Sequence, residues 1–238
     1  MFNNQDLVGV EDQQDRLGGS YTLDSGVYDG TVKLAYVVNA SNSNSKCIVT
    51  VYEFAGKELT DRVWIFNKAG KPTYEKNNKK FMLPGYEAMN DLALVTTGLP
   101  LTEQTIEDKT IKIWDSTEKK EVEKSVPCVT SIMGKQVTAG VIKAIVNRQA
   151  KDASGEYVDT DEQREINEIS KFFHTESRKT VVELKSGTDL PEEDLFITKW
   201  GEKNSGDTQN RFKPVTAAGA AASGAGSPKT ASKPLFGN

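Results

Sequence analysis

The sequence predicts a mainly β fold: a small antiparallel β-barrel with a few peripheral helices and a flexible C-terminal tail. Three observations carry that expectation. Residues 26–66 read as three consecutive strands, and β-rich runs return at 109–129 and 136–147, each bounded by turn residues. Beyond Asn204 the chain is mostly Ala, Gly, Ser, Thr and Pro, which cannot bury enough surface to fold.

The first strand, GVYDGTVKLAYVV, sets Tyr28, Val32, Leu34, Tyr36 and Val38 against Asp29, Thr31 and Lys33. Lys46 to Phe54 and Leu59 to Phe66 are rich in β-branched and aromatic residues. A Ser/Asn-rich loop separates the first pair, and Ala55-Gly56-Lys57-Glu58 makes a tight hairpin for the second. Ahead of these, residues 1–19 form a polar lead-in. After them, Gly70, Pro72 and Asn77-Asn78 mark a loop or irregular hairpin. From Pro84 the spacing of Tyr86, Met89, Leu92 and Ala93 predicts a helix ended by Gly98 and Pro100.

Two further strands, Lys109–Trp114 and Glu121–Val129, flank a second hairpin turn, with Pro127 marking an edge or bulge. Gln136–Asn147 is another strong strand, and Gly140 within it fits a bend. Glu156-Tyr157-Val158 reads as a short return. Residues 160–173 support two readings, a helix opened by Thr160-x-x-Gln163 or an extended segment. Asp189, Pro191, Glu192 and Glu193 open a helix carrying Phe196 and Trp200 and stopped by Gly201. These elements predict one domain over residues 1–204 and a disordered tail over 205–238.

Composition narrows the function. No apolar run approaches a membrane span, and the first residues lack a signal-peptide pattern, so a soluble intracellular protein is expected. Cys47 and Cys128 lack metal spacing, and the single histidine, His174, argues against a histidine triad or histidine-rich metal site. Phosphate-loop, G-x-S-x-G and H-E-x-x-H patterns are missing. Neither catalysis nor a cofactor or metal is expected. The net charge of −4 hides a division: residues 33–80 carry nine Lys/Arg against four acids, whereas 81–210 carry sixteen against twenty-four. Either this basic segment meets an anionic partner or it is a solvated face.

Cations interleaved with aromatics on adjacent strands suit a single strand of nucleic acid, whose bases stack on rings while phosphates meet charges. The candidate binding residues are Lys33, Tyr52, Arg62, Trp64, Phe66, Lys68, Lys71, Tyr74, Lys79 and Lys80. In Arg62-Val63-Trp64-Ile65-Phe66 a period of two puts Arg62, Trp64 and Phe66 on one face. Either that face is outward and binds, or Trp64 and Phe66 are core. Leu235 and Phe236 are the bulky apolar pair of the tail and a candidate anchor for a protein partner.

The phrases GVYDGTVKLAYV, KELTDRVWIFNKAGKPTY, NKKFMLPGYEAMNDLALVTTG, REINEISKFF and FITKWGEKNSGDTQNRFK resemble the single-stranded DNA-binding proteins of short-tailed bacteriophages, over most of residues 16–213. The resemblance implies an OB-fold barrel that coats single-stranded DNA in phage replication, recombination and repair in the host cell cytoplasm. It also implies phage or host replication or transcription proteins as partners of the tail. The family's usual acidic tail is replaced here by KTASKPLFGN, which keeps Phe236 but has no acid. The rival expectations are a structural phage β-protein whose strands make oligomer contacts, and an enzyme with an unusual acidic site.

Overall fold

The computed structural model describes residues 22–115, 118–153, 155 and 157–215. The lead-in and the Leu235–Phe236 anchor lie outside the described residues. Among the described residues, ten strands and three α-helices follow in order: β1 (Gly26–Asn39), β2 (Lys46–Phe54), β3 (Lys57–Phe66), β4 (Thr73–Lys76), β5 (Lys79–Met82), α1 (Pro84–Thr97), β6 (Ile106–Asp115), β7 (Lys120–Val129), β8 (Gln136–Lys151), β9 (Tyr157–Phe173), α2 (Val181–Ser186), α3 (Phe196–Asn204) and β10 (Thr208–Asn210). The fold is mainly β, with antiparallel pairing throughout except where β10 runs parallel to β8. No helix among the described residues is long and apolar enough to cross a membrane.

Strand β1 is the hub, pairing with β2 along one edge and with β8, and briefly β7, along the other. Its alternation breaks at Lys33, where the register with β2 shifts between Val32 and Leu34. A bulge of this kind exchanges the two faces of a strand. Val32, Ala35 and Val37 therefore belong to the main core with Ile48, Tyr52, Phe54, Ile65, Met89 and Leu92. Leu34, Tyr36 and Val38, read from sequence as the same face as Val32, lie in another cluster with Cys47, Val49 and Cys128. The β6–β7 hairpin covers that cluster with Ile111, Ile113 and Val126.

Helix α1 packs Met89, Leu92, Ala93 and Val95 inward and ends on the left-handed Gly98. A third cluster joins Trp200 and Ile197 of α3 to Ile142 and Phe173. Gly140 has a specific reason: a Cβ there would fall 2.8 Å from the Trp200 indole. The register of β8 against β9 shifts at the same place.

Two sequence expectations need correction, and one that stood open is decided. The 160–173 segment is strand, part of the 17-residue β9 that pairs along β8. The helix near 190 is a 3-10 turn at Glu192–Asp194 followed by α3, which runs through Gly201 to Asn204. The boundary at 204 falls too early. Residues 208–210 form β10, Arg211 N–H donates to the Ile145 carbonyl, Asn147 bonds the backbone of Lys213 at both its amide atoms, and Val215 N–H donates to Asp161 Oδ1.

Candidate nucleic-acid interface

The end of β3 positions the candidate site. Arg62 and Trp64 share the outward face of β3, opposite Val49 and Cys47 of β2, and Trp64 remains 47% exposed. Val63 and Ile65 point into the main core, as the alternation predicts. Phe66 does not stay with Trp64. The β2–β3 register shifts between Lys46 and Cys47, so Phe66 turns to the core side. There it lines an apolar groove of about 330 Å³ with Ile48, Ile65, Tyr86, Ile106 and Val129, with Lys46 Nζ 5.9 Å from its ring centroid.

Directly after Phe66, Asn67 builds the next turn. Its Oδ1 accepts from the N–H groups of Ala69 and Lys71, and its Nδ2 donates to the Thr73 carbonyl. Lys68 and Lys71 are exposed on this turn. The β4–β5 hairpin follows, closed by Asn77 and Asn78 at φ 52° and 59°, the pair of positive values a tight hairpin turn demands. Its return strand leads to Gly85, where a Cβ would collide with the Trp64 carbonyl oxygen. Both feet of the hairpin thus stand at the end of β3.

On the hairpin, Tyr74 and Phe81 are paired across the strands and stacked, with centroids 5.6 Å apart, and are 40% and 42% exposed. Lys76 and Lys79, also paired, share their face. Lys80 falls on the opposite face, across from Glu75. Sequence reasoning missed Lys76 and Phe81 as site residues. The signal was present in the alternation of TYEK and KKFM about the Asn-Asn turn.

Two other candidates leave the site. Tyr52 is a correction: it is 0% exposed, its ring packed 5.5 Å from Phe54 and 6.0 Å from Phe172, and it cannot receive a base. It shares the inward face of β2 with Ile48 and Phe54. Lys33 stays exposed but is held by Glu53 at 2.8 Å, and that hydrogen bond and charge, with Glu58 beyond, raise its ammonium above the ordinary lysine range. Glu53 lies six residues along β2 from the partner of Trp64, roughly 20 Å away. Arg62 and Trp64 thus share the outward face of β3, Lys68 and Lys71 stand exposed on the turn that follows, and Tyr74, Lys76, Lys79 and Phe81 share one face of the β4–β5 hairpin. No protein-family model matches the chain, and no curated protein matches it.

Proposed function

We propose that this protein binds single-stranded DNA without sequence preference, by stacking bases on Trp64, Tyr74 and Phe81 and pairing phosphates with Arg62, Lys68, Lys71, Lys76 and Lys79. The observation that carries the reading is the exposed, stacked Tyr74–Phe81 pair with two lysines on its face, rooted beside an exposed tryptophan and arginine. Exposed rings beside cations are the arrangement that unpaired strands use, because every base has a π-face and every nucleotide a phosphate.

An OB-type barrel is the finer fold reading that accompanies it. Strands β1, β2 and β3, helix α1, then β8 and β9 succeed one another as in a five-stranded, partly open Greek-key barrel. On this reading the β4–β5 and β6–β7 hairpins are insertions, and the face of β2 and β3 that carries Trp64 is the one such barrels offer to oligonucleotides. The biological setting is then that of the resembling phage proteins, coating DNA during replication, recombination and repair inside the host.

A gel-shift or fluorescence titration with single- and double-stranded oligonucleotides tests the proposal. With about 3–5 phosphates neutralised, log K should fall against log salt with a slope of about −2 to −3.5, and duplex should bind more weakly. A slope near zero, or equal binding of duplex and single strand, overturns it.

A further inference from the structure

Strand β6 pairs with β7 along one edge only, and no described strand covers the other. It is ten residues long and exposed over most of its length. Edges of this kind template further pairing unless they are guarded by proline, short length or like charges. IEDKTIKIWD has neither proline nor short length, and its five charged residues, Glu107, Asp108, Lys109, Lys112 and Asp115, are of both signs, so a second mixed-sign strand is not simply repelled.

The outward face of β6 carries Ile106, Asp108, Thr110, Lys112 and Trp114, an order of apolar, acid, hydroxyl, base, apolar. That order is self-complementary. An antiparallel copy of the same strand, placed so that Thr110 meets Thr110, sets Asp108 against Lys112 twice and Ile106 against Trp114 twice. Ile106 and Trp114 are two large apolar side chains left in water, 56% and 63% exposed. No ion pair joins Asp108 or Lys112 to another described residue, although Lys112 faces Glu123 across the β6–β7 ladder. In the paired arrangement Lys112 would lie between Glu123 of its own hairpin and the second copy's acid. Moving the register by one residue one way brings Lys109 against Lys112; moving it the other way trades the Asp108–Lys112 pair for Glu107–Lys112 but sets Asp108 against Ile111 and parts Ile106 from Trp114.

We infer that the free edge of β6 is a homodimer interface, two copies joining antiparallel about a two-fold axis at Thr110 into a continuous four-stranded β7–β6–β6–β7 sheet. A second copy is favoured over an unrelated extended peptide because the charge and apolar order on the edge complements itself. A two-fold interface repeats every contact, so each favourable pair counts twice. The inference does not depend on nucleic-acid binding and is tested without it.

Sedimentation velocity over a concentration series should show a monomer–dimer equilibrium. Asp108→Lys alone and Lys112→Asp alone each place like charges opposite one another twice. Each should weaken the dimer about five- to hundredfold, while the double exchange restores it to within a few-fold. Circular dichroism on each variant keeps unfolding distinct from dissociation. Thr110→Cys should give a covalent dimer on mild oxidation, since paired residues of antiparallel strands lie within disulfide reach. A monomer at every accessible concentration overturns the inference. So does a dimer indifferent to both single reversals, or a folded double exchange that fails to recover.

Discussion

Trp64 and Tyr52 sit on neighbouring strands in opposite surroundings, and substitution separates them. Trp64→Ala removes an exposed ring, so oligonucleotide affinity should fall about five- to 150-fold, the worth of one base stack, with melting temperature little changed. Tyr52→Ala empties a fully enclosed site and should cost about 3–5 kcal/mol of folding stability. Normal oligonucleotide affinity in Trp64→Ala would remove that ring from the site. Near Tyr52, its Oη and the Thr50 Oγ1 lie side by side without a well-aligned partner, and Asp61 is across from Thr50 on β3. Burial raises the Asp61 carboxyl above the ordinary range, the Arg62 backbone N–H partly offsets this, and Glu168 adds to it. The folded chain therefore holds this proton to higher pH than the unfolded chain does. Its contribution to stability is full below about pH 4 and declines as pH rises through the raised value. Asp61→Asn should melt above the parent at pH 7 and lose that advantage toward pH 4. An equal difference at both pH values would show that Asp61 titrates normally.

At the scale of elements, the β4–β5 hairpin concentrates the site. Its two faces differ, with Tyr74, Phe81, Lys76 and Lys79 on one and Glu75 and Lys80 on the other. Replacing Lys76 and Lys79 together by Ala should make the salt slope shallower by about 1.4, two phosphate contacts at the single-strand increment. Lys33→Ala should leave the slope alone, because its charge is already engaged by Glu53. A comparable change at Lys33 would extend the site across the sheet to β1. The same elements show what the sequence could convey. Alternation and β-branched runs located β1, β2 and β3, whereas the β4–β5 hairpin, exposed on both faces, was marked only by its turn residues Gly70, Pro72, Asn77 and Asn78. Alternation misplaced Leu34, Tyr36 and Phe66, since a bulge adds a residue without leaving any mark in composition. It left β9 undecided because DTDEQREINE lies exposed along most of its length, so no buried face recorded a period of two.

For the whole molecule, the described chain stays bonded to the sheet past the point where its composition changes, as far as Val215. A chain ended after Val215 should melt like the full protein. Ending it after Asn204 removes β10, the Arg211–Glu168 ion pair at 2.7 Å and the Asn147 and Asp161 bonds, and should cost about 1–3 kcal/mol. Identical melting of the two truncations would return the boundary to 204. The polar composition beyond 204 concealed this, because the bonds are made by backbone groups, the Asn147 amide, the Asp161 carboxylate and the Arg211–Glu168 pair. Such bonds need no apolar residue to announce them.

The chain leaves the described structure from the β8–β9 pair and not from the Trp64 face, and that has a mechanical consequence. Tension applied at Val215 first reaches the Asp161 bond, then the two at Asn147, then the Arg211–Ile145 bond, before it loads β10. These connections break one after another, as a zipper opens, at low force. Several residues of slack are paid out before the pull is felt by the sheet that presents Trp64. A pull at Val215 can thus be taken up there while the surface at the end of β3 keeps its shape.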